Sequence, residues 1–406
     1  LPHDNAESDV NPNLDRLQSY PFQRLRALLD GVAGPAGLAP IPLYIGEPRH
    51  PTPEFIKRAL IDHLDGLASY PLTLGTEALR AAIAGWLQRR YGLTAVDPQS
   101  EVIPVNGSRE ALFAFAQAVI DPTRPDPIVV CPNPFYQIYE GAALLAQATP
   151  QFINSVPGTG YAFDFRELTA AAWQRTQLVY VCSPGNPTGH VMSLAEWEEL
   201  FALSDRYGFI IAADECYSEI YFDEARPSLG ALEAARHFGR TGFPNLVVFS
   251  SLSKRSNVPG MRSGFVAGDA GILKKFLLYR TYHGCAMSPP VQAASVAAWE
   301  DEAHVRENRR LYREKFEAAL AILKPVVKVD MPAAGFYLWL PTSLSDTEFT
   351  RSLYQDQAVS VLPGSYLARD AHGVNPGRNR VRIALVAATE ECAEAARRIR
   401  DFISHL

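Results

Sequence analysis

At 406 residues the chain exceeds the size at which one hydrophobic core stops growing, so two domains are expected. A hydrophobic content of 47% with 20% charged residues describes a globular chain with a large core, and a formal net charge of −6 gives no general attraction to nucleic acid or an anionic membrane. Cys131, Cys182, Cys216, Cys285 and Cys392 form no CxxC pair, which argues against a disulfide framework or a metal site and suits a reducing cytosol.

Residues 1–45 read as an N-terminal arm that joins the smaller domain: a polar start (Leu1-Pro2-His3-Asp4-Asn5) without a signal-peptide pattern, a short amphipathic helix over 14–29, then a Gly/Pro-rich stretch over 31–40. Helical patterns follow at 53–64 and 77–91, separated by the loop Ser69-Tyr70-Pro71-Leu72-Thr73-Leu74-Gly75. From residue 101 short apolar runs at 101–105, 128–131, 178–182, 209–213, 246–250 and 264–267 alternate with helical patterns at 108–120, 136–147 and 193–207. That alternation predicts an α/β architecture, a mostly parallel, doubly wound sheet with helices on both faces, occupying residues 46–290. A long amphipathic region (291–323), strands at 335–340 and 380–385 and a closing helix at 389–405 then predict a smaller α+β domain over 291–406. No apolar run reaches the length of a membrane span.

In doubly wound sheets ligands collect beyond the carboxyl ends of the strands, and the polar motifs of this chain fall at such ends. Lys254 follows the strand pattern 246–250, with the hydroxyls of Ser251 and Ser253 just before it and Arg262 eight residues after it. An amine there can hold an aldehyde as a Schiff base while hydroxyl and guanidinium grip a phosphate, and that ligand description fits pyridoxal 5′-phosphate. Asn106-Gly107-Ser108-Arg109 lies between a strand and a helix, where a tight turn and first-turn amides make an anion site. In Ser183-Pro184-Gly185-Asn186-Pro187-Thr188-Gly189 two prolines and two glycines constrain the turn around Asn186. Asp214, in Asp214-Glu215-Cys216-Tyr217, ends a buried run, where a carboxylate opposite a pyridine nitrogen would keep that ring cationic. Tyr217 could reach the cofactor's phenolic oxygen, and Cys216 is expected as a small buried filler.

With these motifs in this order, the sequence resembles the class I/II aminotransferases, pyridoxal-phosphate enzymes of fold type I, over essentially its whole length. The resemblance implies that Lys254 is the Schiff-base lysine and that Ser251, Arg262, Gly107, Ser108 and Arg109 hold the phosphate. It further implies that Asn186 and Tyr217 bond the phenolic oxygen and that Asp214 faces the pyridine nitrogen. Phe135, in Pro132-Asn133-Pro134-Phe135-Tyr136, takes the stacking position on the ring. Tyr70 resembles the tyrosine that reaches into a neighbouring subunit's site, which implies a homodimer with composite sites. Arg382 resembles the arginine that clamps the substrate α-carboxylate, assisted by the Gly46 amide of Ile45-Gly46-Glu47-Pro48; Arg380 competes for that role.

The implied reaction is a ping-pong transamination between small amino acids and 2-oxo acids, usually glutamate and 2-oxoglutarate, with Lys254 as the proton carrier. Segments 70–80, 131–145 and 254–262 are most similar to N-succinyldiaminopimelate aminotransferases of bacterial lysine biosynthesis. Other class I specificities (aspartate, aromatic, alanine, acetylornithine) and a β-lyase fate are the alternatives. A dicarboxylic substrate calls for a second cation, for which Arg49, Arg109 and Arg255 are the nominees.

Overall fold

The computed structural model describes residues 10–406, so the polar start of the arm lies outside the described residues. The arm holds a 3-10 turn, Pro12–Arg16, and a separate helix, Pro21–Leu28, rather than one helix over 14–29. Pro21 is the reason: the residue before a proline is pushed out of the helical region, and Tyr20 is extended at φ −61°, ψ 142°. The arm continues into strand β1 (Ile41–Pro42).

The large sheet comprises β2 (Val102–Val105), β3 (Ile128–Asn133), β4 (Thr149–Asn154), β5 (Thr176–Cys182), β6 (Ile210–Asp214), β7 (Leu246–Ser251) and β8 (Gly264–Gly268), in the order β2-β8-β7-β6-β5-β3-β4. Neighbours from β7 through β4 run parallel, and β8 runs antiparallel between β2 and β7. Alternate side chains of β5 go to opposite faces: Val179 and Val181 enter one core, Leu178 and Tyr180 the other. Each such burial contributes about 1.5–3 kcal/mol, which is why these strands read as continuous apolar runs. Strand β4 gives no such signal because it is an edge strand whose first four residues keep some exposure. The helix Leu194–Tyr207, which links β5 to β6, starts in a capping box between Ser193 and Glu196.

The remaining strands are β9 (Tyr337–Pro341), β10 (Val359–Ser360), β11 (Leu362–Pro363) and β12 (Arg380–Ala384). Strands β11-β12-β9 form an antiparallel sheet covered by the helices Ala303–Leu323 and Thr389–Ser404, and the arm's β1 pairs with β10. The division expected after residue 290 falls later. Helix Pro289–Glu300 sends Ala294, Ala298 and Trp299 into the core of the large sheet, against Trp86 and Phe265, so the change of core follows Glu300.

Candidate active site

Strands β5, β6 and β7 end in register, with Cys182 beside Asp214 and Asp214 beside Phe249. Beyond those ends, between the large sheet, the arm and the small sheet, lies a cavity of about 450 Å³. It is lined by Ser108, Arg109, Asn186, Asp214, Tyr217, Ser251, Ser253, Lys254 and Arg262 on one side and by Gly46 and Arg382 on the other.

One corner is built for an anion. Gly107 precedes the helix Ser108–Val119 at φ +82°, a conformation that suits glycine, and it offers no side-chain oxygen to the first-turn amides. The Arg262 guanidinium packs so closely on Gly107 that a Cβ would collide with it. Ser251 caps the short helix Leu252–Arg255, its hydroxyl accepting the Ser253 amide at 3.0 Å. Amides, hydroxyls and a guanidinium in one corner match a phosphate.

Lys254 reaches from this corner to the opposite wall, where its Nζ donates to the Gly46 carbonyl at 2.7 Å. Burial pulls its pKa down to about 8. Its main chain is held from the small domain: Asn308 Nδ2 donates to the Lys254 carbonyl at 3.2 Å. Asp214 is buried, and its carboxylate accepts from the Tyr139 hydroxyl at 2.6 Å and the Cys216 amide at 3.2 Å. Burial pushes the Asp214 carboxyl up while those donors pull it back, and a cation opposite would lower it further. The Tyr217 hydroxyl lies 3.0 Å from that of Tyr337.

Across the cavity Arg382 Nη1 donates to Asn186 Oδ1 at 3.0 Å and Nη2 to the Tyr44 carbonyl at 2.9 Å, and its guanidinium carbon lies 4.4 Å from the Tyr337 ring centroid. Its buried Nε has no partner among the described residues. Arg380, on the same strand, does not line the cavity and instead faces the Tyr161 ring at 5.9 Å.

Two expectations need correction. Phe135 is not part of the cavity wall: it is 1% exposed, packs on Phe152 at 5.0 Å and sits beneath Arg369. Its backbone amide donates to the Leu367 carbonyl, its ring is buried in a core of the large sheet, and the next residue, Tyr136, lines the cavity. Cys216 is not a plain filler either, since it lines the cavity with Sγ 2.9 Å from Ser108 Oγ.

Of the three nominated cations, Arg49 is exposed beside Glu391 at 3.7 Å, and Arg255 is buried against Glu302 at 2.6 Å. Only Arg109 lines the cavity; its Nε donates to the Tyr136 hydroxyl at 2.6 Å. Tyr70 lies outside the cavity, fully exposed on its loop. Tyr20 and Phe22 of the arm, Tyr136, Tyr139 and Tyr337 all line the cavity without having been anticipated. The available signal is the aromatic cluster Phe135, Tyr136 and Tyr139 just beyond the strand end at Asn133.

Class I and II aminotransferases match residues 39–399, and the chain belongs to that family. It is 32% identical over 404 residues to an LL-diaminopimelate aminotransferase of Nitratidesulfovibrio vulgaris (strain DSM 19637 / Miyazaki F), covering 98% of this chain and 100% of the relative. Among solved structures, an aminotransferase from Neisseria meningitidis Z2491 is similar with a TM-score of 0.94 at 54% identity, covering 97% of this chain and 100% of that one. A probable N-succinyldiaminopimelate aminotransferase from Thermus thermophilus is similar with a TM-score of 0.81 at 27% identity, covering 94% of this chain and 99% of that one.

The protein is therefore an aminotransferase of fold type I that works with pyridoxal phosphate. The residues present fit that group: an anion corner at Gly107 and Arg262, a desolvated amine at Lys254, and a buried carboxylate at Asp214. Among the described residues no cluster of His, Cys, Asp and Glu could hold a metal ion, and no helix is long and apolar enough to cross a membrane.

Proposed function

We propose that the chain transfers an amino group between glutamate/2-oxoglutarate and a diaminopimelate-class acceptor, N-succinyl-2-amino-6-oxopimelate, in lysine biosynthesis. The observation that carries this reading is that, besides Arg262 in the anion corner, two further guanidiniums, Arg382 and Arg109, line the cavity without a carboxylate partner among the described residues. A substrate with a carboxylate at each end is the ligand that two such cations take. The names of the Nitratidesulfovibrio and Thermus proteins both carry the diaminopimelate skeleton, which supports the same class.

In this reading Ser108, Ser251, Ser253 and Arg262 hold the phosphate, with the backbone at Gly107 and Arg109. Asp214 faces the ring nitrogen, Asn186 and Tyr217 bond the phenolic oxygen, and Tyr136 covers the ring face. Bound pyridoxal phosphate supplies the sink for the electrons left when the substrate α-carbon loses its proton. Lys254 Nζ takes that proton, and its lowered pKa raises the share of neutral amine present near neutral pH. Arg382 holds the α-carboxylate, assisted by the Gly46 amide, and the Arg109 guanidinium receives the distal carboxylate. Five free cysteines are in keeping with a cytoplasmic enzyme.

A second reading is favoured by Glu47, which also lines the cavity and could receive the free distal ammonium of unsuccinylated LL-diaminopimelate. Supplying each candidate donor with 2-oxoglutarate and measuring glutamate separates the two. The first reading expects succinyl-diaminopimelate to exceed free LL-diaminopimelate, acetylornithine, aspartate and aromatic amino acids in kcat/KM. It also expects Arg109→Gln to lower that kcat/KM by about 10-fold or more, the worth of a charge-assisted hydrogen bond. A preference for the free diamine, or indifference to Arg109→Gln, contradicts it.

We also infer a homodimer with shared sites. Tyr70 is fully exposed in a loop next to exposed Leu67 and Leu72, an apolar patch that suits a second copy. Mixed dimers of Tyr70→Phe and Lys254→Ala subunits should regain activity; no complementation would count against the shared site.

A further inference from the structure

Tyr337 borders on groups that the proposed mechanism treats separately. It sits on β9 opposite Ala384 of β12 and is buried. Its hydroxyl lies 3.0 Å from that of Tyr217, and its ring lies 4.4 Å beneath the Arg382 guanidinium carbon. Its hydroxyl also fills the space that any Cβ at position 46 would need, so glycine stands there, and the Gly46 carbonyl accepts from Lys254 Nζ at 2.7 Å.

We propose that Tyr337 is a positioning residue that aims the Tyr217 hydroxyl at the cofactor and sets the plane of Arg382 for the substrate carboxylate. This rests on the roles given above to Tyr217 and Arg382. A phenolic hydroxyl has one proton to give and lone pairs to accept with. When Tyr217 gives its proton to the cofactor's phenolic oxygen, the contact between the two tyrosines requires Tyr337 to be the donor. A donor behind it polarises Tyr217 and makes it the stronger donor in turn. The ring acts differently on Arg382. An aromatic face holds a guanidinium in plane without neutralising it, whereas a carboxylate in that place would cancel the charge the substrate needs.

Two substitutions separate the two contributions. Tyr337→Phe keeps the ring and removes the proton, so the midpoint of the pH-dependent visible absorbance of the holoenzyme should rise by about half a pH unit. The sign follows from Tyr217 becoming a weaker donor: the phenolic oxygen is less stabilised as an anion, and the chromophore holds its proton to higher pH. The KM for the amino-acid donor should stay within about threefold in Tyr337→Phe and rise about tenfold in Tyr337→Leu, which removes the face beneath Arg382. Cofactor content and circular dichroism of each variant check that it folds. An unmoved midpoint in a folded Tyr337→Phe, or an unchanged KM in a folded Tyr337→Leu, overturns the proposal. Arg382→Ala measured alongside distinguishes the failures: if its KM is also unchanged, the clamp role itself is wrong, and the midpoint then decides the part played by the hydroxyl.

Discussion

The wall of the cavity that belongs to the large sheet and the wall made by the arm and small domain reach the same space by different routes. On the sheet wall, Asp214 and Ser251 close β6 and β7, and Asn186 and Lys254 follow β5 and β7 within four residues, so the register of three neighbouring strands brings them together. On the opposite wall nothing is set by one element. Arg382 is tied to Asn186 and Tyr44, which are 196 and 338 positions away in the chain, and Tyr337 approaches from a neighbouring strand. A hydrogen-bonded sheet is a rigid platform and suits a cofactor that stays. A wall assembled from side-chain contacts can differ between relatives while the platform is kept, and suits the substrate.

Substitutions on the two walls should therefore fail in different ways. The largest loss is expected on the sheet wall: Lys254→Ala should lower kcat by at least about 10²–10⁴, the worth of a positioned proton carrier, while cofactor still binds weakly. Steady-state rates on the purified variant check this, and near-normal turnover would remove Lys254 from the mechanism. Next comes the opposite wall. Arg382→Ala should cost about 2–5 kcal/mol in kcat/KM for the amino acid while leaving cofactor affinity nearly unchanged. If both affinities fell together, the division of labour between the walls would be lost.

The smallest effect is one of pH. In the proposed mechanism the neutral Lys254 amine combines with the cofactor's aldehyde, and burial lowers its pKa to about 8. The rate at which the apoprotein takes up pyridoxal phosphate should rise with pH and level off above about 8. A rate still climbing near pH 10, as for a lysine in water, would place Lys254 in solvent.

The same contrast explains what could be read from the sequence. Lys254, Asp214 and Asn186 stood out because short polar motifs interrupt apolar runs where strands end. Arg382 stands out over Arg380 because the family motif ends with it, and the structure keeps Arg380, two residues earlier, off the cavity wall. Tyr136 was missed by one position. Apolar patterning cannot say which of two adjacent rings turns into a cavity: Phe135 packs on Phe152 beneath Arg369, and the Tyr136 hydroxyl meets Arg109 on the cavity wall. Tyr337 and Asn308 left no local signal at all, because each matters through partners distant in the chain. The helix Pro289–Glu300 read as part of the small domain for a similar reason: its periodicity shows an apolar face but not which core receives it.

The most direct test of the central claim, that one desolvated lysine carries the cofactor, is borohydride reduction of the purified holoprotein followed by peptide mapping. A pyridoxyl label on the peptide that contains Lys254 is the expected result. A label on a different lysine, or none, would contradict the account.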